Sequence, residues 1–434
     1  MSTLTPSVPR ENALGGWSAG LASWAFAVVF LYCWISINPF EDLANPPSGV
    51  AAINQLVGFA LTAGLCIYAA GRGLLPFIAR PRLLIGALFF WLAVTALMAP
   101  DMGASLRRLM VSGLICLCAS ALLVVPKSRE QFRSVLAFCA FAVLGLSFLG
   151  VLFISARAVH QAYDLVEPGL AGDWRGVFSH KNIAAQAAVI LVFVGLYLLA
   201  AGARVKGFAV TLLAAVFLWM TNGKTALGIL PVVLVMAFLL DRRPVLGAVA
   251  FWIALLGISV LTLGSALSPA IFGFIESLGM DATFTARTDI WALALRAAAE
   301  RPLVGYGFGN FWGSELLANS PYAIETWAVD AAHAHNGFVE MLLHGGVPAL
   351  VLTMIWLVVL PLRDIRQAGR RQADRPLTVL FTRIWVFGIF SALLESNFFT
   401  GAGPVWFSLL LAVFGLRQQA RAYLIVEAGD GARA

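Results

Sequence analysis

Long apolar runs, separated by short polar or glycine-rich breaks, recur along the chain from Trp17 to Gly415. A bilayer core about 30 Å thick needs ~20 mostly apolar residues per crossing helix. Twelve runs approach that length. The first five lie near Ser18–Ile37, Val50–Ala70, Leu83–Met98, Leu106–Val125 and Phe132–Ile154. Four more lie near Asn182–Ala201, Gly207–Thr221, Thr225–Leu240 and Pro244–Gly264. The last three lie near Asn336–Leu360, Leu377–Leu394 and Pro404–Arg417. The pattern predicts an all-α integral membrane protein of about twelve transmembrane helices, with residues 1–434 forming a single membrane domain.

Two breaks exceed what a connection needs, and loops beyond ~12–15 residues are usually functional or disordered. One runs from Ser155 to Lys181. The other, 265–335, is a large, partly helical loop between the ninth and tenth spans. Within it Thr285 to Ala299 reads as a helix with Thr285 as its cap and Ile290, Trp291, Leu293, Ala294 and Ala297 as its apolar face. Pro302 and the glycines Gly305, Gly307 and Gly309 end it. Such a helix either lies in the membrane interface, anchored by Trp291, or packs over the mouth of the bundle.

Composition agrees: 60% of residues are hydrophobic and 12% charged, about half the charge of a soluble domain. The net charge of +7 would suit nucleic acid, but its distribution follows the loops. With the N-terminus cytoplasmic, inside segments hold Arg10, Arg72, Arg80, Arg82, Lys127, Arg129, Arg133, Arg204, Lys206, Arg242 and Arg243. They also hold Arg363, Arg366, Arg370, Arg371, Arg375, Arg383, Arg417, Arg421 and Arg433, making 20 of the 29 basic residues. The outside keeps 9 basic residues and 15 of the 22 acidic ones. Positive residues prefer cytoplasmic loops, so both termini are expected in the cytoplasm, and no nucleic-acid partner is expected. The five cysteines all fall in apolar runs and read as packing residues. The polar stretch Met1–Gly16 lacks the apolar core of a secretory signal, leaving insertion to the first helix.

Candidate chemistry gathers on the predicted outer side, where all five histidines fall. Asp173–Asn182 opens the sixth span and brings Arg175, His180 and Lys181 to a helix N-terminus, where free amides favour an anion. Thr221–Thr225 forms a tight turn whose Lys224 either meets a substrate phosphate or snorkels to lipid headgroups. Ala332–Phe338 carries His333, His335 and Asn336. The two-residue histidine spacing chelates metal poorly, and no Cys–Cys or Glu-x-x-His pattern completes a site, so neither metal nor cofactor is expected. A histidine is the usual general base near neutral pH. Arg287 offers a planar fork for two phosphate oxygens. Glu395, at the outer end of the eleventh span, is either a functional ionisable group or the cap of a short loop. A small-anion carrier is the competing class, although no internal repeat between halves supports one.

Three segments resemble the O-antigen ligase and polymerase superfamily, especially its exopolysaccharide polymerases. They are Trp174–Asn182, Arg287–Trp291 continuing into Pro302–Gly307, and His335–Glu340 followed by Gly345–Pro348. The resemblance covers about Asp173 to Gly403 and implies a GT-C-like membrane glycosyltransferase of the bacterial inner membrane, its large loop periplasmic. Such an enzyme uses polyprenyl-diphosphate-linked sugars without a metal. It implies that His335 accepts the proton of the acceptor hydroxyl while Arg287 holds the diphosphate, helped by Lys224. Arg175, His180, Lys181, Asn336 and Glu395 are the further expected substrate-binding residues. Many ligases have arginine at the turn that holds Lys224, and this departure, together with the Arg175–Asn182 segment, favours a polymerase over a ligase. Expected partners are a lipid-linked oligosaccharide and membrane lipid, with room for chain-length or export proteins.

Overall fold

A computed structural model describes residues 18–41, 49–164 and 167–421. The predicted polar segment Met1–Gly16, Arg10 and Arg433 lie outside the described residues. Among those described there are helices and no strands. The helices are α1 (Ala19–Ile35), α2 (Val50–Gly71), α3 (Arg82–Leu97), α4 (Met102–Leu122) and α5 (Arg129–Phe153). Then come α6 (Lys181–Ala200), α7 (Arg204–Met220), α8 (Lys224–Arg242) and α9 (Pro244–Leu267). The two longer helices of the large loop follow, α10 (Pro269–Ser277) and α11 (Arg287–Glu300), and then α12 (Gly337–Arg370), α13 (Arg375–Ser391) and α14 (Pro404–Arg421). Every predicted span coincides with one of these helices. Seven, namely α2, α4, α5, α6, α8, α9 and α12, are long and apolar enough to cross a membrane, and α1 and α3 are shorter apolar helices. The protein is an all-α membrane protein.

Burial sorts the helices. A helix apolar on all sides belongs in the centre, and α6 is buried along most of its length, whereas little of α2 or α9 is buried. Around α6 pack α7, α8, α13 and α14. Gly195 and Gly207 let α6 and α7 meet backbone to backbone, since a Cβ on either would strike the other helix. Small residues are the usual means of close helix approach in lipid.

The basic loops meet at one end of the bundle. There Arg129 pairs with Asp374 at 3.3 Å, Arg375 with Asp241 at 2.6 Å and Arg417 with Asp364 at 2.8 Å. The charge alternation read from the sequence therefore corresponds to a physical segregation of loops.

α12 breaks near its start, at Gly345 and Gly346, just before Pro348. Four of the backbone groups at the break find partners outside the helix. Val347 N–H donates to the Pro302 carbonyl (2.7 Å), and the Leu343 carbonyl accepts from Tyr306 N–H (2.7 Å). The carbonyl of His344, which Pro348 cannot serve, accepts the Thr95 hydroxyl at 3.1 Å, and that of Gly345 accepts Trp91 Nε1–H at 2.7 Å. Non-helical backbone at membrane depth persists only when satisfied in this way. The break thus ties the loop segment 302–306 and α3 to the helix carrying the third sequence motif. Gly346, at φ +66° and ψ −164° against the backbone of Leu303, occupies a region open essentially to glycine alone. Gly346→Ala is expected to destabilise the protein by about 2 kcal/mol or more. Thermal unfolding in detergent measures this, and an unchanged midpoint would refute the account of the break.

Candidate functional site

At the end opposite the basic loops, the large loop folds over the bundle. α11 packs against α9 and α12. Trp291 is fully buried, its indole N–H donating to the Ala334 carbonyl at 3.0 Å. Of the two placements open to this helix, the packed one is found: the apolar face of α11 is covered by protein. The expected Thr285 cap is corrected. Capping requires extended backbone at the residue before the helix, but Phe284, Thr285 and Ala286 are all left-handed (φ +49°, +63°, +64°), and α11 starts at Arg287 without a side-chain cap. The turn is held by Asp281, whose carboxylate accepts the Thr283 and Thr285 amides at 2.9 and 2.8 Å.

That turn presents Arg287 to the α13–α14 connection. Its guanidinium donates to the Leu394 carbonyl and to Glu395 Oε1, the latter at 2.8 Å. The other oxygen of Glu395, Oε2, lies 3.4 Å from His335 Nδ1, within ion-pair reach though not aligned as a hydrogen bond. One mostly buried carboxylate therefore holds an arginine on one side and a histidine on the other. Burial pushes the Glu395 carboxyl up, but the adjacent His335 and Arg287 outweigh it, and the group sits below the usual carboxylate range. His335 is itself left-handed at φ +48°. Backbone strain tends to collect at functional sites, and here it flanks both members of the pair. The His333 ring lies 4.1 Å from that of His335, and burial together with this neighbour lowers its pKa below the ordinary imidazole value.

Asn336 is wholly buried and fully engaged. Its Oδ1 caps α12 by accepting the amides of Phe338 and Val339 at 3.0 and 3.1 Å, and its Nδ2 donates to the Leu393 carbonyl at 3.0 Å. Expected to bind substrate, it instead bolts the start of α12 to the Glu395 connection. Asn336→Ala is expected to cost about 1–2 kcal/mol of stability, from the lost cap and the stranded carbonyl. Urea or thermal unfolding checks this, with a neutral result refuting the assignment. Glu340, one turn further, accepts the Ala334 amide (2.8 Å) and the Ser396 hydroxyl (3.2 Å), fixing the segments on both sides of the site.

The Arg175–Asn182 segment is close in the fold but differently disposed than expected. Lys181 pairs with Asp173 at 2.6 Å and His180 with Glu167 at 2.8 Å, while Arg175 is buried and donates to the Ser179 carbonyl at 3.2 Å. The first amides of α6 are occupied as well. Lys181 N–H donates to His160 Nε2 (3.2 Å) and Asn182 N–H to His180 Nδ1 (3.1 Å). The expectation of free amides for an anion is thus corrected: two imidazoles already fill that place. His160 acts as an acceptor because burial, with His180 beside it, lowers its pKa and keeps it neutral.

Lys224 is exposed at the start of α8, and no charged or hydrogen-bonding partner is found for its ammonium among the described residues. A narrow cleft beside it is lined by Asn182, Gln186, Gly223, Thr225, Ser391 and Glu395. The α6 entry, the α7–α8 turn and the Glu395 connection, far apart in sequence, meet there. Sequence reading missed Gln186, which accepts the Ser391 hydroxyl (3.2 Å) and the Asn397 amide (3.1 Å) in the cleft wall. The available signal was a polar residue one turn into an otherwise apolar span.

Fold and site together define a polytopic helical membrane protein whose basic and histidine side chains converge beneath a folded loop. Residues 187–354 match the family model described as O-antigen ligase. That match contains Lys224, Arg287, His335 and Asn336. Arg175, His180, Lys181 and Glu395 lie beyond its limits. The chain is also 29% identical, over 107 residues, to the exopolysaccharide production protein ExoQ of Rhizobium meliloti (strain 1021). That stretch is 24% of this chain and 25% of the relative, so the chain matches about a quarter of the relative's length. These matches support the O-antigen ligase and polymerase superfamily.

Proposed function

We propose that this protein polymerises lipid-linked oligosaccharide repeats into exopolysaccharide or O-antigen at the periplasmic face of the inner membrane. Both termini would be cytoplasmic, and the donor would be a polyprenyl (undecaprenyl) diphosphate. The observation that carries the reading is the shared clamp of Arg287 and His335 on Glu395 at the cleft. A glycosyl transfer from a diphosphate needs a base for the acceptor hydroxyl and fixed positive charge for the leaving group. Here one carboxylate positions both.

With Nδ1 turned towards Glu395, His335 has Nε2 left to take the hydroxyl proton. Glu395 then stabilises the imidazolium that forms. The hydroxyl oxygen bonds to the anomeric carbon as the carbon–oxygen bond to the diphosphate breaks and the electron pair leaves with phosphate. Arg287, through the donors not used on Leu394 and Glu395, and Lys224 stabilise that growing charge, as preorganised cations do. Glu395 serves as a positioning residue, since a carboxylate would repel a diphosphate. Attack opposite the leaving group inverts the anomeric centre. The donor's lipid tail stays in the bilayer while its sugar reaches the space beneath the 265–335 loop.

Purified protein in lipid nanodiscs, given lipid-linked repeats alone, is expected to release polyprenyl diphosphate and form lipid-linked dimers and longer chains. The match to the O-antigen ligase family favours a second reading, transfer of a finished glycan to another lipid acceptor. No turnover with repeats alone, and turnover once a lipid A–core acceptor is added, would decide for that reading.

A further inference from the structure

At the other end of the bundle, about 27 Å away along α8 by helical rise, a second cavity lies among α6, α8 and α13. Its volume is about 350 Å³. Ala200, Ala237, Phe238, Pro376 and Val379 give it apolar walls, and Arg242, Arg375 and Arg383 line it beside one acid, Asp241. Asp241 is already committed. Arg375 grips it bidentately, from Nη2 to Oδ2 at 2.6 Å and from Nε to Oδ1 at 3.1 Å, and Arg242 stands 3.5 Å away. Arg383, further along α13, has an Nε sealed from solvent without a hydrogen-bond partner, and no carboxylate lies within ion-pair distance of it among the described residues. Three arginines thus face one aspartate. A buried, unpartnered guanidinium nitrogen is costly unless something accepts from it.

We propose that this cavity binds the phosphate headgroup of an anionic membrane phospholipid. Arg383 and the free donors of Arg375 hold the phosphate, and the acyl chains leave along Phe238, which is largely exposed on the outer face of α8. Basic pockets between transmembrane helices recognise anionic lipids in this manner. The cavity belongs to an end that the glycosyl-transfer reading does not use, so the two proposals stand or fall separately.

Native mass spectrometry of the full chain, delipidated in detergent and titrated with phosphatidylglycerol or phosphatidylcholine, tests it. Wild type is expected to retain phosphatidylglycerol at least fivefold better. Arg383→Gln should abolish that preference, and so should Val379→Trp, which fills the cavity without removing charge. Lys206→Gln, in a separate basic cleft at the same end, should keep it. Inorganic phosphate should not displace the lipid, because it lacks the chains that the apolar walls cover. The proposal is overturned if wild type shows no preference, or if both cavity variants retain it. Equal loss in Lys206→Gln would also overturn it, by showing general surface attraction, and displacement by millimolar phosphate would identify a free-anion site instead.

Discussion

His335→Asn is expected to lower polysaccharide output in a complemented deletion strain by at least about 100-fold, with membrane protein levels matched to wild type. Asparagine is the better probe than alanine because His335 is left-handed, at φ +48°, and asparagine tolerates that backbone. It retains size and polarity but cannot accept a proton from a hydroxyl. General-base contributions run to roughly 10²–10⁴-fold, so the loss should fall in kcat while the protein still inserts and folds. Accumulated single lipid-linked repeats would mark a blocked polymerase, whereas long untransferred lipid-linked chains would mark a blocked ligase. Normal glycan from this variant would remove the base from the scheme and return attention to a carrier, testable by anion uptake into liposomes. His333→Asn is the internal comparison. Its ring touches His335 but does not reach Glu395 in any ion pair among the described residues, so a much smaller loss is expected.

Arg287→Lys is expected to reduce output by about two orders of magnitude although the charge is retained. The guanidinium reaches a carbonyl and a carboxylate together, with donors to spare. An ammonium cannot reproduce that fork, and an arginine-to-lysine change at such a site is not conservative. Arg287→Ala adds a stability effect. It strands Glu395, whose side chain is only 13% exposed, and breaking such a pair costs about 3 kcal/mol or more. The double variant Arg287→Ala/Glu395→Ala should recover most of that stability and none of the activity, which separates the structural contribution from the catalytic one. A pH dependence follows from the same pair. Glu395 titrates below its ordinary value in the folded protein, so its stabilising effect is complete above the ordinary carboxylate range. That contribution fades as pH falls through the lower folded value. In Arg287→Ala only His335 is left to oppose the effect of burial, so the carboxyl pKa rises and the loss of stability should begin at higher pH. Unfolding midpoints measured across acid pH would show this, and identical pH profiles would contradict the clamp.

Membership of the all-α membrane class was written in the sequence, because length and apolar content alone decide whether a segment can satisfy its backbone in lipid. The gathering of basic loops at one end was equally legible, since each crossing reverses direction and the charges sit in alternate breaks. Arg287, His335 and Lys224 could be picked out one by one as types suited to the chemistry. Their relations could not. Glu395 is 60 residues from His335 in the chain, and only the fold shows that its two oxygens divide between His335 and Arg287. The Arg175–Asn182 segment looked like an anion cradle because sequence lists donors and not their occupants. Packing brings Asp173, Glu167, His160 and His180 onto those donors first. Asn336 looked available and is spent on a helix cap. Sequence left Trp291 either an interfacial anchor or a residue packed over the bundle mouth, and only the fold seals it under the loop, because burial belongs to the surfaces that meet and not to the residue type. Residue chemistry and hydropathy are local quantities that sequence carries in full, whereas pairing, occupancy and burial depend on what the rest of the chain places alongside.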